Sequence, residues 1–429
     1  MNAKIEKGYP STYRTGDTQA LSLNINRRQS VEIVGINRVG IGNFLRYYLN
    51  NDIAHSRFLD RKNHVFITVD LNDLTELSIE MLWQLTLKRI EDTLITHKEL
   101  SALCTSFVKT NHHSHPASIF FTVERIRNLL KLVADSDYLP TVFFIRLDRM
   151  KDMLTNTFFN NLQGLHAATN NKFMFVSTSY RAMQELCPKC FAKNSSLIYL
   201  PKMYVKPAQV KDSKILLHSF ETTHAMHIPN DIRSKLIEYS GGHVQYLQIS
   251  LLLYDEIVHK LKCNKEQFLE KVLLDERINL QSEEIYGNLT KNEQDTLVAL
   301  LHSGKKITHA IPDNSYLIET GLLQKTKVGY SIFNIYFEKY LRNIRIHKNK
   351  NRYLGFTTKE DLLLGVFLEN RGKVCDRLTI QKVVWPECSE IGVSDWAIDR
   401  LVSRLRIKLR LNESPLKVLT IRSKGYMLS

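Results

Sequence analysis

The sequence predicts an α/β chain built on a parallel sheet, followed by a small all-helical stretch and two helix-and-ribbon segments. Three observations carry that prediction. Short apolar runs alternate with longer amphipathic stretches through the first half of the chain. Strand signals then vanish between about 226 and 287. After that, a helix, a glycine stop and a two-stranded ribbon occur twice in succession.

Taken in order, Val31-Glu32-Ile33-Val34 reads as the first strand and runs into a glycine turn, with a helix following through Phe44-Leu45-Arg46-Tyr47-Tyr48-Leu49. Val65 to Val69, Thr141 to Ile145 and Phe173 to Ser177 are further apolar runs. Each is followed by an amphipathic stretch, the pattern of strands covered by helices on both faces. Ile232, Leu236 and Ile237, then Tyr246, Leu247, Ile249, Leu253 and Ile257, recur at helical spacing and predict the helical region. Thr290 and Glu293 form a capping box that opens a helix through Leu297, Leu300 and Leu301. With Tyr316 to Leu323 and Lys327 to Phe333 this composes a first winged helix. The stretch from Arg342 to Arg352 has five Lys or Arg and no acid, and reads as a linker. The expected segments are 1–225, 226–287, 288–341, 342–354 and 355–429.

Charge narrows the partners. With 59 Lys and Arg against 44 Asp and Glu, the formal charge is +15, which favours a polyanion, and duplex DNA heads the list. The six cysteines (Cys104, Cys187, Cys190, Cys263, Cys375, Cys388) are too scattered for a disulfide framework and predict a reducing compartment. No apolar leader and no membrane-length apolar stretch is visible, so the expectation is a cytoplasmic chain without a membrane partner.

Val31 to Leu45, VEIVGINRVGIGNFL, has the strand, glycine, four residues, glycine and helix of a phosphate-binding loop. Gly35, Gly40, Gly42 and Asn43 are its candidate nucleotide-binding residues, because glycines let backbone N–H groups close around phosphates at a helix N-terminus. The chemistry also needs a lysine and then a hydroxyl for Mg²⁺, and here Ile41 and Gly42 stand in those places. The run Thr141 to Arg149 looks like a metal-site strand carrying Asp148, with Arg149 where a water-polarising acid is needed. ATP or ADP bound without hydrolysis is the cofactor state these residues leave open, and no catalytic residue is assigned.

These pieces, with Val69-Asp70-Leu71-Asn72-Asp73-Leu74, Phe175 to Arg181 and Gly241-Gly242-His243, give the stretch from about Tyr13 to Tyr254 its resemblance to AAA-like and STAND-type P-loop ATPases. The resemblance implies a P-loop core with a helical lid, and a first winged helix that contacts protein. Hydrolysis is not implied, since the chain departs from the family at the loop lysine and at the acid.

Phe356 to Ser429 resembles the winged-helix DNA-binding domain of OmpR/PhoB-type response regulators. The matching residues are Phe356 to Glu360 with Leu362, Leu363 and Leu364; Asn370 to Val374; Val384-Trp385; Ile398 to Leu409; and Thr420 to Tyr426. The residues point the same way unaided. Ile398, Val402, Leu405 and Leu409 form one buried helical stripe, leaving Arg400, Ser403, Arg404, Arg406, Lys408 and Arg410 off it. A basic helix of this length fits the major groove, where arginine pairs with guanine. Thr420, Arg422, Lys424 and Tyr426 complete the candidate DNA surface as a wing. Leu401 stands where the family often has a polar residue, and Trp396 is expected to pack in the core or on backbone.

Two further clusters carry less. Cys187-Pro188-Lys189-Cys190 lacks a second ligand pair for zinc, and His112, His113 and His115 read as an exposed loop. The reading is a DNA-binding regulator, of transcription in its simplest use, with a non-hydrolysing sensor or assembly core. Two rivals stay open: an active DNA-dependent NTPase, and a DNA-bound assembly factor of replication, transposition or phage defence. Self-association or a partner protein at the core belongs to this reading too.

Overall fold

The computed structural model describes residues 9–103, 105, 118–191, 200–261, 265–302, 311–312, 315–327, 329–348, 358–386, 393–411, 414–421 and 424–429. The chain divides into two compact units, Met1–Lys265 with His309–Thr326, and Glu266–Thr308 with Lys327–Ser429.

The first unit is built on five strands: β1 Val31–Val34, β2 His64–Asp70, β3 Leu139–Ile145, β4 Met174–Ser179 and β5 Lys202–Tyr204. They lie in the order β2-β3-β4-β1-β5, all parallel, with Val31 opposite Val176 and Ile33 opposite Met203. β1, β3 and β4 are buried along their whole length, whereas β2 alternates buried and half-buried residues. That is the burial expected of central strands covered on both faces. The four apolar runs named above are strands, and β5 is a strand that its composition did not announce.

The helices follow their apolar periodicity. Ile79–Thr96 is capped by Ser78, whose hydroxyl accepts from Met81 N at 3.2 Å, and it buries Leu82, Trp83, Ile90 and Leu94. Ile119–Asp135 buries Val123, Ile126, Leu129 and Leu130. With the sheet they enclose one apolar core containing Val65, Ile67, Phe144, Phe158 and Phe175. Asn230–Ser240 buries Ile232, Leu236 and Ile237, and ends where Gly241 turns left-handed. Val244–Leu261 buries Tyr246, Leu247, Ile249, Leu253 and Ile257. Tyr316–Glu319 and β6, Leu323–Thr326, also belong to this unit.

The second unit contains Glu276–Gly287 and Lys291–His302. The capping box forms: Glu293 Oε2 accepts from Thr290 N at 2.8 Å, and Thr290 Oγ1 accepts from Glu293 N at 3.3 Å. β7, Gly329–Ile332, and the helix Ile335–Lys348 follow. The C-terminal part runs Thr358–Glu369, β8 Val374–Cys375, Arg377–Val384, Asp395–Leu411, β9 Val418–Ile421 and β10 Gly425–Leu428. Its sheet has the order β8-β10-β9, antiparallel, with Tyr426 opposite both Cys375 and Thr420. Leu363, Phe367, Ile380, Trp385, Leu405 and Leu428 share one core with these strands. Gly425 is required in the ribbon, because its φ is 134° and a Cβ there would run into the Cys375 carbonyl oxygen.

Candidate nucleic-acid interface

The helix Asp395–Leu411 is fixed by the apolar stripe that the sequence predicts. Ile398, Leu401, Val402, Leu405 and Leu409 are all buried, and Leu401 fills a core position with no exposure. At about 3.6 residues per turn, Trp396, Arg400, Ser403 and Ile407 fall on the opposite side. Trp396 is 51% exposed and Ile407 49% exposed. The expectation that Trp396 packs in the core is therefore corrected. It lies two positions from Ile398, about 200° around the helix, so the packing of Ile398 turns it outward.

Arg400 lies at the edge of this face, its guanidinium 5.3 Å over the Trp396 ring, and the other basic side chains sit on the two flanks. Arg400 pairs with Glu284 at 2.8 Å, and on the flank beside it Arg404 pairs with Glu283 and Lys408 with Glu360 at 2.5 Å. Glu360 is fully buried and also lies 3.5 Å from Arg404 Nε. On the other flank, Arg406 donates to Val418 O at 2.7 Å and to Thr420 Oγ1 at 2.7 Å, which fastens the helix to the ribbon. Tyr426 is buried at the ribbon base, where its hydroxyl meets Asp399, and Arg377 donates to that hydroxyl at 3.3 Å. Burial, reinforced by Asp399, pushes the Tyr426 phenol up to about 12. Thr420 and Lys424 are exposed on the ribbon. Arg422 lies outside the described residues, as does Phe356 at the start of the matched stretch.

The phosphate-loop position in the first unit is a real strand-loop-helix turn. β1 delivers Gly35, and Gly40 precedes the helix Ile41–Asn50 with φ 112°. A Cβ at Gly40 would lie 2.5 Å from Val244 Cγ2, and one at Gly35 would lie 3.1 Å from Ile41 Cδ1. Loop carbonyls are taken by side chains of the same unit. His243 donates from Nε2 to Asn37 O at 2.9 Å, and Arg14 Nη2 donates to Val39 O at 3.4 Å. Full burial pushes the His243 imidazole down to about 3, so it is neutral at ordinary pH. Asn43 accepts from Arg46 at 2.9 Å, and both line a cleft of 280 Å³ together with Val244, Gln248 and Phe220.

The metal-site reading meets a different geometry. β3 ends at Ile145, Arg146 takes a left-handed φ of 64°, and Asp148 follows in the 3₁₀ turn Leu147–Met150. Arg149 donates to Leu71 O at 2.5 Å and to Asn72 Oδ1 at 3.1 Å. Burial pushes the Asp148 carboxyl up against the pull of Arg146, Lys151 and Arg149. For a magnesium nucleotide, position 41 offers no cation and position 42 no hydroxyl.

Arg181, in the stretch after β4, is buried, pairs with Glu185 at 2.7 Å and lies 4.0 Å over the Tyr316 ring. Cys187 and Cys190 are buried, and their thiols donate to Met183 O and Leu154 O. Among the described residues, no group of three His, Cys, Asp or Glu could hold a metal ion, and no helix is long and apolar enough to cross a membrane. The His112, His113 and His115 cluster lies outside the described residues.

Comparison with known proteins finds one family match over part of the chain and several similar structures. Residues 351–428 match the family described as "Transcriptional regulatory protein, C terminal". No curated protein matches the chain. Among solved structures, the chain is similar to a Walker-type ATPase of Pyrococcus abyssi, at 16% identity over 79% of this chain and 99% of that one, with a TM-score of 0.48. It is also similar to the ORC2 protein of Aeropyrum pernix, at 10% identity over 79% and 94%, TM-score 0.44. A third is CDC6P of Pyrobaculum aerophilum, at 10% identity over 98% and 90%, TM-score 0.37.

Proposed function

We propose that the chain is a site-specific regulator of transcription that places the helix Asp395–Leu411 in the major groove of duplex DNA, with an α/β core that does not hydrolyse ATP. The observation that carries the reading is the exposed face of that helix, flanked by arginines and fastened to a basic ribbon, inside a stretch that matches a transcriptional-regulator family. Arg400, Ser403 and Arg404 are the candidate base and phosphate contacts, with Lys408 further along the same flank. Thr420, Arg422 and Lys424 are candidate phosphate contacts from the ribbon. Arg406 and Tyr426 serve by holding helix and ribbon at one angle, since both are committed to that junction.

The non-hydrolysing reading is supported by what surrounds the glycine loop. Transferring a phosphoryl group needs a cation and a metal at the leaving oxygens. Here Ile41 packs towards Gly35, and Arg14 spends its guanidinium on Val39 O, Lys206 O and Asp17.

Selection of bound duplexes from a random pool tests the first part. A defined repeat or palindrome is expected, and uniform binding to all sequences overturns site-specific recognition. A hydrolysis assay with and without DNA tests the second. No turnover above background is expected, and steady turnover abolished by Asp148→Ala makes the chain an NTPase. Duplexes recovered from gene promoters distinguish a transcription regulator from an assembly factor.

A further inference from the structure

The outermost line of the DNA-facing helix carries a single basic residue, Arg400, beside two large apolar ones. Trp396, Arg400, Ser403 and Ile407 stand opposite the buried stripe, with Arg400 held by Glu284 over the Trp396 ring, while Arg404, Lys408 and Arg406 are drawn to the sides by Glu283, Glu360 and the ribbon. A helix in the major groove presents its outermost side chains to base edges, and its flanks to the phosphates on either wall. Among the groups displayed in that groove, the thymine 5-methyl is the one an aliphatic or aromatic side chain recognises. We propose that Trp396 and Ile407 read thymine through its methyl group. This makes them specificity-determining residues of the DNA-binding reading, on which the proposal rests. Ser403 between them contributes a hydroxyl that serves any base, and an arginine favours guanine, so recognition of thymine falls to the apolar pair.

The test uses the full chain and the duplex obtained by selection, with each thymine replaced singly by deoxyuridine. That change removes one methyl and leaves every hydrogen-bonding group in place. Affinity is expected to fall about fourfold at one or two positions, the effect of one buried methyl. Ile407→Ala should erase the difference at one of them, and Trp396→Ala at the other. If every single replacement binds like the parent duplex, the methyl reading is wrong while DNA binding stands. If no duplex of any sequence is bound, the DNA-binding reading itself falls, and this proposal with it.

A different observation carries a second inference. The arginines flanking this face are already paired inside their own unit. Glu283 and Glu284, adjacent on the helix Glu276–Gly287, hold Arg404 and Arg400, and Glu276 one face-length earlier holds Lys359 at 2.5 Å. A guanidinium bound to a carboxylate cannot give the same N–H groups to a phosphate, so the two partners exclude each other. We infer that this acidic helix competes with the DNA backbone for Arg400 and Arg404 and holds the interface in a low-affinity state. It too rests on the DNA-binding reading. Replacing Glu283 and Glu284 by Gln keeps their shape and removes their charge. The double variant is expected to bind the selected duplex at least fivefold more tightly than the parent. Glu284→Gln alone, at a partly exposed position, should give a smaller gain of the same sign. Equal or weaker binding by Glu284→Gln overturns the competition and makes these pairs purely architectural. Absence of binding by parent and variants alike overturns the DNA-binding reading instead.

Discussion

Glu360 is a buried charge inside the C-terminal winged helix: its carboxylate has no exposure and holds Lys408 at 2.5 Å and Arg404 Nε at 3.5 Å. Glu360→Gln keeps the volume and removes the anion from between two cations. Breaking a fully buried pair costs about 3–5 kcal/mol, and an exposed one about 0.2–1 kcal/mol. Lys408 keeps 27% and Arg404 18% of side-chain exposure, so water screens part of the loss. A destabilisation of about 2 kcal/mol follows, between those limits. Amide exchange of the buried residues Leu401, Leu405 and Leu409 reads this unit alone, and 2 kcal/mol corresponds to roughly thirtyfold faster exchange. Removing the cation as well, in Glu360→Gln with Lys408→Met, should recover about half of the loss. Exchange within twofold of the parent for Glu360→Gln, or strictly additive effects in the double variant, would show that the buried carboxylate is not held by these charges.

Two further outcomes concern the α/β unit. Glu32 is buried in β1, accepts from Met183 N at 2.6 Å and from Ser179 at 3.2 Å, and burial pushes its carboxyl up to about 7. Because the folded value lies above the ordinary 4.5, its contribution to stability is complete below about pH 4.5 and is lost as pH rises through about 7. Glu32→Gln should therefore stabilise the unit by about 2–3 kcal/mol at pH 8 and leave it unchanged at pH 4.5, and a pH-independent difference in melting temperature contradicts this. Gly40→Ala must place a Cβ at φ 112° and 2.5 Å from Val244 Cγ2, so melting of the unit should fall by at least 1–3 kcal/mol with no nucleotide present, and an unchanged melting curve shows the loop to be free to move.

Much of the architecture is legible because it rests on local apolar periodicity. The stripe Ile398, Val402, Leu405 and Leu409, the Thr290 and Glu293 box and four of the five core strands all follow from spacing alone. β5 escapes because Lys202-Met203-Tyr204 has a single buried side chain and is held by pairing to β1. The outward turn of Trp396 was available in principle: the angle separating it from Ile398 is the same arithmetic that defines the stripe. The end of β3 was not, since it depends on Arg146 adopting a left-handed backbone conformation, which a non-glycine residue rarely takes. Least legible of all are the partners of the arginines. Glu283 and Arg404 are 121 positions apart, and no periodicity links them.

That difference bears on how the glycine loop should be understood. A strand-loop-helix turn keeps its backbone shape through glycines, and the groups that make it a phosphate site are added by side chains. In this chain the backbone shape persists, while Asn37 O is bound by His243, Val39 O by Arg14, and the space beside Gly40 by Val244. Every one of those contacts comes from the unit's own residues. The turn is therefore ordered without a ligand, and a glycine at position 40 is required by packing as much as by phosphate approach. The glycine spacing of the loop then reports the turn, and the residues at positions 41, 42 and 149 bear on the chemistry. The two can part company because they rest on different forces: the first on apolar burial around β1, the second on the chemistry of a few individual side chains.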